Sequence, residues 1–165
     1  MSAASRPSRV PRPPAPFHRD TPLSEVMVRD VITIQLQDRS SLVDTLMKHH
    51  PIHHLPVLEG DVLRGLIAQR DLYRSMLSAL YFEGEPELHS FLDDFTDIAS
   101  IMTPDPLTLE PTNTLDDALQ LMLEHKIGCV PVVDDRNRLQ GILTDSDLLR
   151  ILNAVLPPPG AGRAS

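Results

Sequence analysis

His125–Arg150 reads HKIGCVPVVDDRNRLQGILTDSDLLR, and its reading decides the fold. CVPVV is an apolar run, DDRN a polar turn and RLQGILT a second β-rich run, so the middle is a hairpin. TDSDLLR then puts a capping hydroxyl, Thr144, ahead of a helix with Asp147 in its first turn. Working upstream, Thr114 opens an amphipathic helix with Leu115, Ala118, Leu119 and Met122 on its apolar side. Before that, ASIMTPDPLTL (Ala99–Leu109) reads as a short helix ending at Met102, then an extended piece.

The same order of signals occurs once before. SEVMVRDVITI (Ser24–Ile34) matches ASIMTPDPLTL, with Met27 lying 75 residues before Met102. SLVDTLMKHHPIHHLPVLEGDVLRGLIAQRDL (Ser41–Leu72) matches Thr114–Leu148, and Gly65 answers Gly141 at 76 because the second turn is one residue longer. Ser40 is read as the cap of the first amphipathic helix, with Leu42, Leu46 and Met47 on its apolar side. An internal repeat of this kind is a repeat of structure. Each copy is a β-α-β-β-α unit that leaves one sheet face uncovered. Two copies bury those faces together around a pseudo-twofold axis, giving an α/β (α+β) fold.

The expected divisions are an Arg/Pro-rich disordered arm over 1–20, repeat 1 over 21–82, a linker over 83–97, repeat 2 over 98–156 and a flexible tail over 157–165. The last helix of repeat 1 is expected to run on through Tyr73, Met76, Leu77 and Leu80. PELHSFLDDF in the linker reads as a further short helical piece.

Of the 165 residues 41% are hydrophobic and only 4% aromatic, with no tryptophan, so the core must be aliphatic. The single cysteine, Cys129, excludes an intramolecular disulfide and fits a reducing compartment. No apolar run is long enough to span a bilayer and the start lacks a signal-peptide core, so a cytoplasmic protein without a membrane partner is expected. The formal charge is −8 overall and −12 for the body between the two basic ends. An acidic body argues against nucleic-acid binding, which needs a basic face for phosphates. No phosphate-binding loop, nucleophile elbow or zinc-protease motif occurs, so no enzyme activity is read.

IMTPDPLTL, HHLPVLEGDVLRGLIAQRDL and HKIGCVPVVDDRNRLQGILTDSDLLR, taken in order and twice over, resemble CBS domains, and two in tandem resemble a Bateman module. The resemblance covers nearly all of 21–156. It implies a regulatory module that binds an adenosine-containing ligand (AMP, ADP, ATP or S-adenosylmethionine) in the cleft between the copies. It implies a homodimer and an effector protein as partners. It also implies main-chain contacts to adenine around Val130, Pro131 and the segment after each methionine, where Met102 and Thr103 are the candidates and Val28 the apolar counterpart. An Asp at the start of the last helix takes the ribose hydroxyls, which gives Asp147 with Thr144 facing the phosphates. In repeat 1 it gives Asp71, but Ala68 stands where the Thr is expected, so that site is expected to be weaker. Arg70 is the candidate there for phosphate charge. On chemical grounds, free N–H groups in such a helix turn favour an anion nearby.

His49, His50, His53 and His54 lie within six residues. A metal site, a solvated helix end and a phosphate contact by His53 and His54 compete. The last follows from a resemblance to the gamma subunit of AMP-activated protein kinase. His53 and His54, adjacent at a strand entrance, should point to opposite faces and so suit one ion poorly. Cys129 reads as a small core residue, and Asp134–Asp135 as a turn without calcium-loop spacing. Two functional classes remain: a ligand sensor, and a structural dimerisation or adaptor module whose sites have decayed.

Overall fold

The computed structural model describes residues 17–74 and 97–155. Its elements are α1 (Leu23–Val26), β1 (Ile34–Gln35), α2 (Ser41–His49), β2 (His54–Glu59), β3 (Val62–Ala68), α3 (Ile98–Ile101), β4 (Thr103–Pro104), α4 (Leu115–His125), β5 (Cys129–Val133), β6 (Leu139–Thr144) and α5 (Asp145–Val155). Residues 69–74 are helical as well. Most of the N-terminal arm, the C-terminal tail, Met76, Leu77, Leu80 and PELHSFLDDF lie outside the described residues.

The described residues fall into two units, and neither is a contiguous repeat. The first-repeat unit holds residues 32–74 with 97–107 and 136–139. The second-repeat unit holds 108–135 and 140–155 with 17–31. The leading segment of each repeat is therefore exchanged.

In the first-repeat unit the sheet order is β1-β2-β3-β4. β1 runs parallel to β2 (Ile34↔Val57), β2 antiparallel to β3, and β3 antiparallel to β4 (Leu66↔Thr103). The second-repeat unit repeats the pattern: β5 pairs with β6, Leu109 bridges Val132 in parallel and Val28 bridges Ile142 antiparallel. Each of these pairings reproduces its counterpart at the repeat offset.

The exchange explains two glycines and two methionines. A Cβ on Gly141 would lie 2.7 Å from Met27 Sδ and 2.9 Å from the Val28 carbonyl oxygen. A Cβ on Gly65 would lie 2.9 Å from Met102 Cγ and 3.1 Å from the Thr103 carbonyl oxygen. Those separations are below contact distance, so only glycine admits the neighbouring segment. The four-residue helices α1 and α3 are too short to persist alone. Burial holds them: Leu23, Val26 and Met27 pack with Leu115, Ala118, Val132 and Leu143. Ile98 and Ile101 pack with Ile34, Val43, Met47, Leu55, Val57, Ile67 and Leu72.

The helix after β1 departs from the expectation. Thr114 closes a capping box with Asp117, its hydroxyl accepting from Asp117 N–H at 3.1 Å and Asp117 Oδ2 accepting from Thr114 N–H at 2.7 Å. Ser40 makes no such cap; it lies in the αR region and is buried. The preceding turns show why. Gln35 N–H donates to Asp38 Oδ2 and Glu110 N–H to Asn113 Oδ1, which fixes the offset at 75. Arg39, not Ser40, then stands where Thr114 caps. Val43, aligned with Ala118, is the buried position, and Leu42 is exposed rather than apolar-side. The helix ends differ too. His50 precedes Pro51 and is forced extended (φ −124°), whereas Lys126 closes α4 in the left-handed region (φ 54°).

Candidate functional site

In the second-repeat unit β6 delivers Thr144 to the start of α5, and α5 carries Asp147 in its first turn. Asp147 is a buried residue, at 6% exposure. Its Oδ2 accepts from Thr144 N–H at 3.0 Å and from the Thr144 hydroxyl at 2.6 Å. Its Oδ1 accepts from Arg150 Nη1 at 2.8 Å. Arg150 lies one helical turn on, and its side chain is 68% exposed. Asp147 is thus a reciprocal cap for its own helix and one half of an ion pair.

The first-turn amides are not free, contrary to the anion-site expectation. Asp145 N–H donates to the Gly128 carbonyl at 3.0 Å. Ser146 N–H donates to Asp145 Oδ1 at 2.6 Å, and Asp147 N–H reaches Thr144 Oγ1 at 3.4 Å. The Thr144 hydroxyl spends its proton on Asp147.

Val130 and Pro131 are buried in β5, and the Pro131 carbonyl accepts from Leu109 N–H at 3.2 Å. Cys129 is buried beside them. Burial pushes its thiol well above the ordinary range, with the carboxylates of Asp147 and Asp145 adding to the rise, so the thiol stays protonated and unreactive.

The first-repeat unit holds Asp71, Arg70, His53, His54, Met102 and Thr103. With Ala68 at the capping step, Asp71 lacks the hydroxyl that Thr144 offers Asp147. The Asp71 side chain is 24% exposed, and its charged neighbour is Arg70, whose Nε stands 3.9 Å from Oδ1. That is beyond hydrogen-bond length. His53 Nδ1 lies 2.8 Å from Gln69 Oε1, and Gln69 Nε2 donates to the Tyr73 hydroxyl at 3.3 Å. Gln69 N–H also donates to the His53 carbonyl at 2.9 Å, the counterpart of Asp145 and Gly128. His53 is exposed; His54 is half-buried at the start of β2, opposite Ala68. Among the described residues, no group of three His, Cys, Asp or Glu side chains is placed to hold a metal ion.

The predicted residues therefore divide. Thr144, Asp147, Val130 and Pro131 share one unit. Met102 and Thr103 are placed with Asp71, and it is Met27 and Val28 that lie alongside the strand leading to Thr144. Sequence reasoning missed Arg150. Its signal was the spacing, an acid and a base three residues apart on one helix face.

A family model described as the CBS domain matches residues 12–78 and 98–154. The chain belongs to the CBS-domain family. Among curated relatives of this CBS-domain protein, a CBS domain-containing protein of Dictyostelium discoideum is 32% identical over 137 residues, covering 82% of this chain and 94% of that one. A homoserine O-acetyltransferase of Methanocorpusculum labreanum is 34% identical over 132 residues, which are 76% of this chain but 24% of the enzyme. The chain thus spans about a quarter of that enzyme's length. The solved CBS-domain pair of protein MJ0100, in complex with 5′-methylthioadenosine and S-adenosyl-L-methionine, is 26% identical with a TM-score of 0.65, covering 81% of this chain and 97% of that one. Two CBS repeats in a mixed α/β fold account for the chain's described structure. Among the described residues no helix is long and apolar enough to cross a membrane.

Proposed function

We propose that this CBS-domain protein is a regulatory sensor that binds an adenosine-containing ligand and changes its conformation or its affinity for an effector protein. One observation carries the reading: both repeats place a carboxylate, Asp71 or Asp147, in the first turn of the helix that follows the hairpin. A carboxylate fixed there accepts bonds from two neighbouring sugar hydroxyls. The MJ0100 pair, solved with two adenosyl compounds, supports the ligand class. A ligand acts through its differential affinity for two conformations, so binding and response are separate measurements.

Calorimetry of the full chain with AMP, ADP, ATP and S-adenosylmethionine tests the reading. Binding of at least one, weakened in Asp71→Ala or Asp147→Ala, is the expected result. No heat from any of them at millimolar concentration overturns it. The same reading takes the assembly to be a homodimer; α5 exposes Leu149, Leu152 and Val155. Size-exclusion chromatography with and without ligand checks that part.

A second reading has one observation in its favour. Every oxygen of Asp147 is already engaged inside its own helix turn, as in a structural module with a decayed site. Stability that depends on Asp147, with no ligand response, is its signature.

A further inference from the structure

The ion pair between Arg150 and Asp147 leaves a chemical question. A sugar hydroxyl seeking the Asp147 carboxylate meets Oδ2 already carrying two bonds from Thr144, and Oδ1 carrying the Arg150 guanidinium. A carboxylate oxygen accepts about two hydrogen bonds, so Oδ2 is full. Oδ1 carries one bond and has one place left, so two neighbouring sugar hydroxyls can both reach the carboxylate only if Arg150 gives up the other. Arg150 is free to yield: its side chain is 68% exposed, whereas that of Asp147 is 8% exposed. A guanidinium that leaves a buried carboxylate needs a new anion, or the binding step loses the pair outright.

The surroundings say what that anion must be. The first-turn amides of α5 are engaged with Gly128, Asp145 and Thr144, and Asp145 adds a second negative charge at the helix start. The Thr144 proton is committed to Asp147. A phosphate arriving here finds the turn's amides engaged, the Ser146 hydroxyl turned to Asp145 at a long 3.4 Å, and two carboxylates nearby. Elsewhere in the unit, Arg19 pairs with Asp116 and Arg29 donates to the Ser24 carbonyl. The cation touching the site is Arg150, and arginine grips phosphate through two parallel N–H donors.

We propose that Arg150 is a specificity-determining residue: it holds Asp147 Oδ1 in the free protein and, on binding, exchanges that oxygen for the phosphate of a nucleoside monophosphate. This inference rests on the reading of Asp147 as the sugar acceptor. It deepens that reading by naming the ligand class, a phosphorylated nucleoside in preference to the neutral nucleoside. A neutral nucleoside must displace Arg150 and gives it nothing in return. A phosphorylated one displaces it and supplies the counter-charge.

The test compares AMP with adenosine by calorimetry on the full chain, for wild type, Arg150→Gln, Arg150→Lys and Asp147→Asn. The exposed position of Arg150 makes its variants foldable. Wild type prefers AMP. In Arg150→Gln adenosine binds at least as tightly as to wild type, AMP binds more weakly, and the preference falls by about tenfold, the worth of one charge-assisted contact. Arg150→Lys keeps the charge but not the fork, and retains part of the preference. An unchanged preference in Arg150→Gln, or a parallel loss of both ligands, overturns the proposal. Asp147→Asn separates the two claims. If it leaves both affinities untouched, the sugar-acceptor reading fails, and this inference with it. If it weakens both while Arg150→Gln leaves their ratio unchanged, only the role of Arg150 fails. Wild type that binds neither compound sinks both.

Discussion

Residues 68–71 (Ala-Gln-Arg-Asp) and 144–147 (Thr-Asp-Ser-Asp) occupy the same step of the same repeat, yet their carboxylates live differently. Asp147 is buried, bonded twice to Thr144 and once to Arg150. Asp71 has Ala68 where Asp147 has Thr144, is partly exposed, and stands 3.9 Å from Arg70. By motif the second repeat looks like the better site, because it has the threonine. In the folded chain that threonine is what closes the carboxylate, and the repeat lacking it keeps the more accessible acid. One hydroxyl thus trades openness for order.

That comparison can be broken most forcefully in the cores. Ile67→Ala and Leu143→Ala remove fully buried side chains at equivalent places in the two units. Each is expected to cost about 2–5 kcal/mol by urea unfolding followed by far-UV circular dichroism. Because each unit borrows its leading helix from the other repeat, both variants should lower one shared transition. Two separate transitions, one moved by each variant, would show that the exchange does not couple the halves.

Next come the glycines. Gly65→Ala and Gly141→Ala push a methyl into Met102 or Met27 and into the adjoining backbone carbonyl. Each is expected to cost about 1–3 kcal/mol in the same assay. Trimming the partner, as in Gly141→Ala with Met27→Ala, leaves the carbonyl clash and should restore only part of the loss.

The two acids come third. Asp147→Ala removes a reciprocal cap and should destabilise by about 1 kcal/mol, whereas Asp71→Ala should stay within about 0.5 kcal/mol. Equal losses would erase the distinction between a locked and an open carboxylate. The smallest effect belongs to the cap on α4. Bonds from the Thr114 backbone and hydroxyl, then from Asn113, hold Asp117 below the ordinary carboxylate range. A depressed folded pKa stabilises above the unfolded value, about 3.9, and that stability is lost as pH falls through the folded one. Asp117→Ala should therefore be less stable than wild type at pH 7, with the gap closing in acid. α2, whose matching position is Leu42, should show no corresponding acid-sensitive gap in Leu42→Ala.

Much of this was legible in the residues. The hairpins, the methionine-ended leading helices, the apolar face of α4 and the burial of Cys129 follow from local pattern, because burial along one element sets its own period. Ser40 does precede α2, but its side chain makes no cap bond; in sequence, a serine beside a helix pattern resembles any other cap. Only the matched turns at Asp38 and Asn113 fix the register. The binding candidates were legible as types of side chain, while their grouping was not.

The sequence alone established that the chain is one supersecondary unit written twice, and it named the side chains that are candidates for a site. Tertiary structure decided which leading segment completes which body, and so set Thr103 with Asp71 and Val28 beside the strand to Thr144. The physical reason is that the two leaders are nearly alike: Val26-Met27 and Ile101-Met102 present the same apolar shape to either glycine. Local pattern is blind to a choice between equals, and only packing over the length of the chain resolves it. The lock on Asp147 is of the same kind, since Thr144 and Arg150 become its partners only once α5 winds them onto one carboxylate.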